Sequence, residues 1–192
     1  MRRGVLGGTF DPIHLGHLRA AENAREALRL DQILFVPTGN PPHRALPLSA
    51  GLDRFAMVAL ATALHPAYVA SDLELSRDGK SYTADTLAAL KESHPEDALY
   101  LIVGSDTFPE MPTWRDPERI FALCTVAVAD RPGARAAEVP SAAPRLRFER
   151  VAGPGLPVSA TEIRGRAREG RSVRYLVPDA VADYIVKRGL YR

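Results

Sequence analysis

The sequence predicts an α/β fold, an open, doubly wound parallel sheet with helices on both faces. Three observations carry the prediction. Short apolar runs alternate with amphipathic stretches of helical period along the whole chain, the order produced by parallel strands joined through crossover helices. The runs Ile33-Leu34-Phe35-Val36 and Leu99-Tyr100-Leu101-Ile102-Val103 are apolar at consecutive positions, as strands buried on both faces are. A chain of 192 residues with about six such strands suits an open sheet better than a closed eight-fold barrel.

Taken in order, the first strand covers about Arg3–Leu6 and runs into Gly7-Gly8-Thr9-Phe10-Asp11-Pro12. A helix follows from near Gly16, with Leu18, Ala21, Ala24 and Leu28 on its core stripe. Asp31–Val36 is a second strand, stopped by Pro37-Thr38-Gly39-Asn40-Pro41-Pro42, and a proline-rich loop carries His43 and Arg44. Leu48-Ser49 opens a helix that ends at His65-Pro66. Tyr68-Val69-Ala70 begins a third strand running toward Leu75, and Arg77–Lys80 reads as a turn. Thr83 is the expected cap of the next helix, which His94-Pro95 ends. Leu99–Val103 is the clearest strand and stops at Gly104-Ser105-Asp106. A short helical passage with Trp114, then Pro117–Leu123, leads to a strand over Thr125–Ala129. Residues 131–144, rich in Ala, Pro, Arg and Gly, read as a surface loop. Leu146–Val151 is the last strand. Ser159-Ala160-Thr161-Glu162 then opens a helix with a capping-box pattern, and Pro178 starts a final helix stopped by Gly189.

The totals suit one globular domain over residues 1–192, with a C-terminal helical part (about 159–192) packing on the same site. Hydrophobic residues make up 46% and charged residues 25% of the chain, ordinary values for a soluble protein. No apolar run approaches the roughly 20 residues needed to span a bilayer, and no secretory leader is apparent. The single Cys124 excludes an internal disulfide and a multi-cysteine metal centre. A cytoplasmic protein with no membrane partner is the expectation. Residues 131–174 carry ten arginines against four glutamates, in a chain whose net charge is only +2. This basic third suits a polyphosphate. Nucleic-acid binding is not expected, because the arginines of 164–174 lack interleaved aromatics apart from Tyr175.

In an open parallel sheet, ligands bind beyond the carboxyl ends of the strands. Gly7–His17, Pro37–Arg44, Gly104–Asp106 and the loop before Ser159 all fall at such ends. The first is the most informative. A strand ending in a glycine-rich turn that feeds a helix points N–H groups and a helix N-terminus at one small volume, which suits phosphate. His14 and His17, one in the turn and one in the first helical turn, can face that volume together. Gly16 between them removes a side chain where a phosphate must approach the backbone. The G-x-G-x-x-G spacing of dinucleotide-binding turns is absent, and no Gly-Lys-Ser/Thr of a P-loop follows.

The stretch Gly7-Gly8-Thr9-Phe10-Asp11-Pro12-Ile13-His14-Leu15-Gly16-His17-Leu18 resembles the signature of the nucleotidyltransferase superfamily that carries a His/Thr-x-Gly-His motif. Its form is similar to that of the bacterial nicotinate mononucleotide adenylyltransferases, matching at eleven of twelve positions. Val158-Ser159-Ala160-Thr161-Glu162-Ile163-Arg164 resembles the family's Ile-Ser-Ser-Thr-x-Ile-Arg, with Ala160 in place of a serine. Pro41-Pro42-His43-Arg44 is similar to Pro-Pro-His-Lys, with arginine for lysine. That exchange keeps the charge and changes a point donor into a planar fork. Ser81–Leu87 and Gly104-Ser105-Asp106 match further segments, as do Leu176-Val177-Pro178 and Gly189-Leu190-Tyr191, so the resemblance spans nearly the whole chain.

The resemblance implies a Rossmann-like fold and the transfer of AMP from ATP to nicotinate mononucleotide, giving deamido-NAD and pyrophosphate. It implies ATP contacts from Gly8, Thr9, Phe10, His14, Gly16, His17, Gly104, Asp106, Ser159, Thr161 and Arg164. His14, His17, Arg44 and Arg164 are the expected catalytic group. Arg44, Tyr82, Thr83, Asp106 and Trp114 are the expected mononucleotide ligands, with the Trp114 ring against the pyridine. Asp106 is open to two roles, acceptor from a ribose hydroxyl or neighbour of the metal-bound phosphates. Mg²⁺ is expected to arrive with ATP, held by substrate and water rather than by a protein cage. The alternatives are a sister enzyme using nicotinamide mononucleotide or phosphopantetheine, and a non-catalytic nucleotide-binding protein of the same fold. Neither the acid-versus-amide preference nor the choice between monomer and homo-oligomer is decided.

Overall fold

A computed structural model describes residues 1–41, 48–130 and 146–192. Six strands form one sheet, β1 (Arg2–Gly8), β2 (Gln32–Pro37), β3 (Tyr68–Ala70), β4 (Ala98–Gly104), β5 (Cys124–Ala129) and β6 (Phe148–Val151). Their order across the sheet is β3-β2-β1-β4-β5-β6, and every neighbouring pair is parallel. The order reverses between β1 and β4. Crossovers that leave those two strands in opposite directions open a crevice at their carboxyl ends, the usual ligand position in doubly wound sheets.

The helices are α1 (Leu15–Ala27), α2 (Gly51–Thr62), α3 (Thr83–Ser93), α4 (Pro117–Leu123), α5 (Ala160–Arg168) and α6 (Asp179–Arg188), with a 3-10 helix over Phe108–Thr113. They divide between two cores, one on each face, and the strands serve both through their two-residue period. Ile33, Phe35, Tyr100 and Ile102 pack with residues of α1, α2, α5 and α6. Leu34, Val36, Leu99, Leu101 and Val103 pack with residues of α3 and α4. The consecutive apolar residues of β2 and β4 are thus the mark of strands covered twice.

The structure departs from the sequence-based expectation at four element ends, one being the start of α2, at Gly51 and not at Leu48-Ser49. β3 stops at Ala70 instead of running toward Leu75. There the Asp72 carbonyl accepts from the N–H groups of Leu75 (2.8 Å) and Ser76 (2.9 Å), so a local turn takes the backbone groups a longer strand would need. α3 is capped by Tyr82, whose carbonyl accepts from the N–H groups of Asp85 and Thr86 at 3.1 Å each; Thr83 is the first helical residue. β6 starts at Phe148 instead of Leu146.

Candidate active site

β1 delivers its last residues to the crevice, and the ladder continues past the strand ends because the Thr38 N–H donates to the Gly8 carbonyl (2.8 Å). Phe10 then takes a left-handed φ of 48°, sterically costly for a bulky L residue. In return its ring is buried. A side chain on Gly8 would crowd that ring, and His17 meets it edge-on with centroids 5.1 Å apart.

His14 ends the turn as the extended N-cap of α1 and is 3% exposed. The His14 and His17 rings stack with centroids 3.6 Å apart. The His14 backbone N–H donates to Nδ1 of His17 at 3.2 Å. A backbone N–H can only donate, so Nδ1 of His17 is an acceptor and the ring proton sits on Nε2. The turn thus prepares His17 Nε2–H as a donor. Gly16 leaves the room for this, because a Cβ there would lie 3.0 Å from Nδ1 of His14 and 3.4 Å from the Leu156 carbonyl.

His14, Gly16 and His17 line one wall of an open cleft at the sheet reversal. Leu6, Ile102, Val103, Gly104 and Ala129 form an apolar wall, with Asp130 at its margin; Gly155, Leu156 and Val158 complete it. A cleft lined both by apolar side chains and by imidazoles suits an aromatic base joined to phosphates. Asn23, also lining the cleft, escaped the sequence reading. Its Oδ1 accepts from Arg19 Nε (2.7 Å) and its Nδ2 donates to the Pro154 carbonyl (3.3 Å). Gly153 packs so closely that any Cβ would lie 2.5 Å from the Asn23 amide. A polar residue on the core face of α1, beside Ala24, was the available signal.

The start of α5 closes on the same turn from the far end of the chain. Ser159 is its N-cap, and the hydroxyl accepts from the Glu162 N–H (3.2 Å), one half of the expected capping box. Ser159 and Thr161 are exposed and Arg164 is half-buried. Arg164 Nη1 donates to the Asp11 carbonyl (2.9 Å) and Nη2 to the Thr161 hydroxyl (3.2 Å). Nearby, the Leu15 N–H donates to the Leu176 carbonyl (3.0 Å).

A second group lies along the same sheet edge, outside that cleft. Ser81 Oγ accepts from the N–H groups of Gly39 (3.1 Å) and Asn40 (3.2 Å), tying the loop after β2 to the start of α3. Gly39 has no room for a side chain against the Glu74 carbonyl. The Arg115 guanidinium lies over the Tyr82 ring, 4.2 Å from its centroid, a cation–π contact that brings the Trp114 segment to the start of α3. Trp114 is half-buried against the α3–α4 core. Asp106 is exposed just after β4. Arg44 lies outside the described residues.

One buried charge was also missed. Arg54, 2% exposed, donates from Nη1 to the Thr9 carbonyl (2.8 Å) and from Nε to the Ser49 carbonyl (3.3 Å). Burial lowers its pKa, opposed by Asp11, Tyr191 and Glu74. Its position three and four residues before Met57 and Val58 put it on the core face of α2, which a solvated arginine would avoid. Among the described residues, no three His, Cys, Asp or Glu side chains are grouped to hold a metal ion, and no helix is long and apolar enough to cross a membrane.

Comparison with known proteins yields a consistent set of relatives. A family model described as cytidylyltransferase-like matches residues 5–166. The chain is 45% identical to a probable nicotinate-nucleotide adenylyltransferase of Geobacter sulfurreducens, over all of this chain and 98% of that one. It is 46% identical to a protein of the same description from Thermus thermophilus, over the full length of both. Among solved structures, it is similar in fold to Plasmodium falciparum nicotinic acid mononucleotide adenylyltransferase complexed with NaAD. That match has a TM-score of 0.80 at 20% identity, covering 99% of this chain and 97% of the other.

Proposed function

The chain belongs to the cytidylyltransferase-like family, among its nicotinate-nucleotide adenylyltransferases, and we propose that it transfers the adenylyl group of ATP to nicotinate mononucleotide, giving deamido-NAD and pyrophosphate. The observation that carries this reading is the stacked His14–His17 pair at the sheet reversal, with Nε2–H of His17 set as a donor. We read residues 1–192 as one nucleotidyltransferase domain acting in the cytoplasm.

The reaction needs no base from the protein. A phosphate oxygen of the mononucleotide, already ionised at neutral pH, forms a bond to the α-phosphorus of ATP while the bond from that phosphorus to the bridging oxygen breaks. The electron pair leaves with pyrophosphate. The protein contributes positioning and stabilisation of charge. His17 donates from Nε2 to a phosphate oxygen of ATP, and His14 acts beside it. Gly8, Thr9, Phe10 and Gly16 bring the backbone to the phosphates, while Gly104 and Asp106 border the nucleoside. Ser159, Thr161 and Arg164 receive the outer phosphates at the positive end of α5. Arg164 spends part of its fork on the Asp11 carbonyl and on Thr161 and keeps other N–H donors for a ligand. By the family resemblance, Arg44 holds the leaving pyrophosphate.

The mononucleotide is assigned to the second group. The first-turn N–H groups of α3 at Tyr82 and Thr83 receive its carboxylate, and Trp114 faces the pyridine ring. Mg²⁺ would be held by oxygens of the ATP phosphates and by water, with Asp106 and Asp130 as the carboxylates near the strand ends. When bound, it neutralises phosphate charge.

The test is turnover measured side by side with nicotinate and nicotinamide mononucleotides. Pyrophosphate release from Mg-ATP is expected on addition of the acid, with a smaller rate for the amide. ATP binding without turnover on any mononucleotide would instead favour a nucleotide-binding protein that has lost the chemistry.

A further inference from the structure

Asp11 lies within the phosphate-binding turn, yet its carboxylate is used entirely inside the protein. It is 5% exposed. Oδ2 accepts from the N–H groups of Leu48 (2.8 Å) and Ser49 (3.4 Å). Oδ1 accepts from the Tyr191 hydroxyl (2.7 Å). Its main-chain carbonyl accepts from Arg164. One residue therefore joins the turn to the chain entering α2, to α5 and to the segment after α6.

We propose that Tyr191 is a positioning residue for the phosphate-binding turn, acting through Asp11. The proposal rests on the reading of that turn as the ATP phosphate site. α6 ends at Gly189 with φ 62°, and Tyr191 follows with φ 69°. This double left-handed step turns the chain inward, and Tyr191 is only 8% exposed. Left-handed φ is unfavourable for an aromatic L residue and persists where surrounding contacts over-determine it. Apolar packing does not explain the hydroxyl, since phenylalanine would fill the same space. The carboxylate does explain it, because a hydroxyl donating to a buried charge makes a strong hydrogen bond. Burial chiefly raises the phenol's pKa, the Ser49 hydroxyl opposes the rise, and Asp11 adds to it. The group therefore stays protonated, as a donor must.

Phe10 and Tyr191, at φ 48° and 69°, thus stand on either side of Asp11, each in a conformation that needs support. Without the Tyr191 hydroxyl, Oδ1 of Asp11 loses its described donor and the carboxylate is held through Oδ2 alone. The Thr9–His14 backbone then loses one of its fasteners, and displaced phosphate donors weaken both ground-state and transition-state binding.

The decisive measurement is calorimetric titration of the full-length protein with Mg-ATP alone. Tyr191→Phe is expected to raise Kd about tenfold with unchanged stoichiometry, as loss of one charge-assisted hydrogen bond does. Asp11→Asn is expected to do the same, and the double variant to bind no more weakly than the weaker single one, because the two residues act in series. Val181→Ala, which opens a small void in the α6 core, is expected to lower the melting temperature and leave Kd unchanged. A merely structural role for Tyr191 changes the fraction of folded protein and hence the stoichiometry, not Kd. An unchanged Kd in Tyr191→Phe, or multiplying effects of the two substitutions, would overturn the proposal. Turnover of the wild type with nicotinate mononucleotide, assayed alongside, reports on the functional reading by itself.

Discussion

From Phe10 to His14 every residue is buried, whereas at the start of α5 Ser159, Thr161 and Glu162 stand in solvent and Ile163 alone is buried. Both ends present backbone donors at a helix N-terminus, yet they are held by different means. The first is fastened by groups from distant parts of the chain: Arg54 on the Thr9 carbonyl, Tyr191 on the Asp11 carboxylate and Arg164 on the Asp11 carbonyl. The second depends on its own cap and on Arg164. A donor aimed at charge that develops only in the transition state must be held in advance. A donor that grips the outer phosphates tolerates more freedom, because those groups are bound before reaction and leave after it. On the proposed function, this difference makes the buried turn the chemical end and the exposed helix start the holding end.

Three substitutions sharpen or break this contrast. The largest effect is expected at His17→Ala, which removes the Nε2–H donor and should lower kcat by about 10²-fold or more. Steady-state kinetics with Mg-ATP and nicotinate mononucleotide check it, and an unchanged kcat removes His17 from the reaction. Next comes Arg54→Met, which leaves the Thr9 and Ser49 carbonyls without their buried donor. It should cost about 3 kcal/mol of stability, about 9 °C in Tm for a chain of this size. A thermal melt reads this; a shift under about 2 °C would show that the buried turn does not depend on its fastener. The smallest effect is expected at Ser159→Ala, which loses one exposed cap worth about 1 kcal/mol. Here KM for ATP should rise severalfold with kcat nearly unchanged. A large fall in kcat would place the second end in the chemistry as well and erase the distinction.

The fold was legible because its signal is local and repeated. Apolar runs such as Ile33–Val36 sit on a sheet covered by helices on both faces, so consecutive apolar residues leave few other solutions. Element ends were less legible, because they are decided by competing hydrogen bonds of similar strength. Asp72 ended β3 early, and Tyr82 displaced Thr83 as the cap of α3 through its carbonyl alone. Of the residues read as ATP contacts, His14, Gly16 and His17 of the first motif and Gly104 after β4 line one cleft, whereas Gly8, Thr9 and Phe10 are not among its lining residues. Asn23 and Arg54 were overlooked because each is a single polar residue on an apolar helical face, and the partner that ties each to the site, the Pro154 or the Thr9 carbonyl, lies far along the chain.

The sequence by itself determined the sheet, the glycine-rich turn with its two histidines and the family, since these follow from periodicity and from residues adjacent in the chain. Only the tertiary structure decided which nitrogen of His17 is the donor, that Asp11 is spent inside the protein, and that Tyr191 reaches back to it across 180 positions. The physical reason is one of distance. A hydrogen bond requires its atoms within about 3 Å, and residues far apart in sequence come that close only when the fold has brought them together.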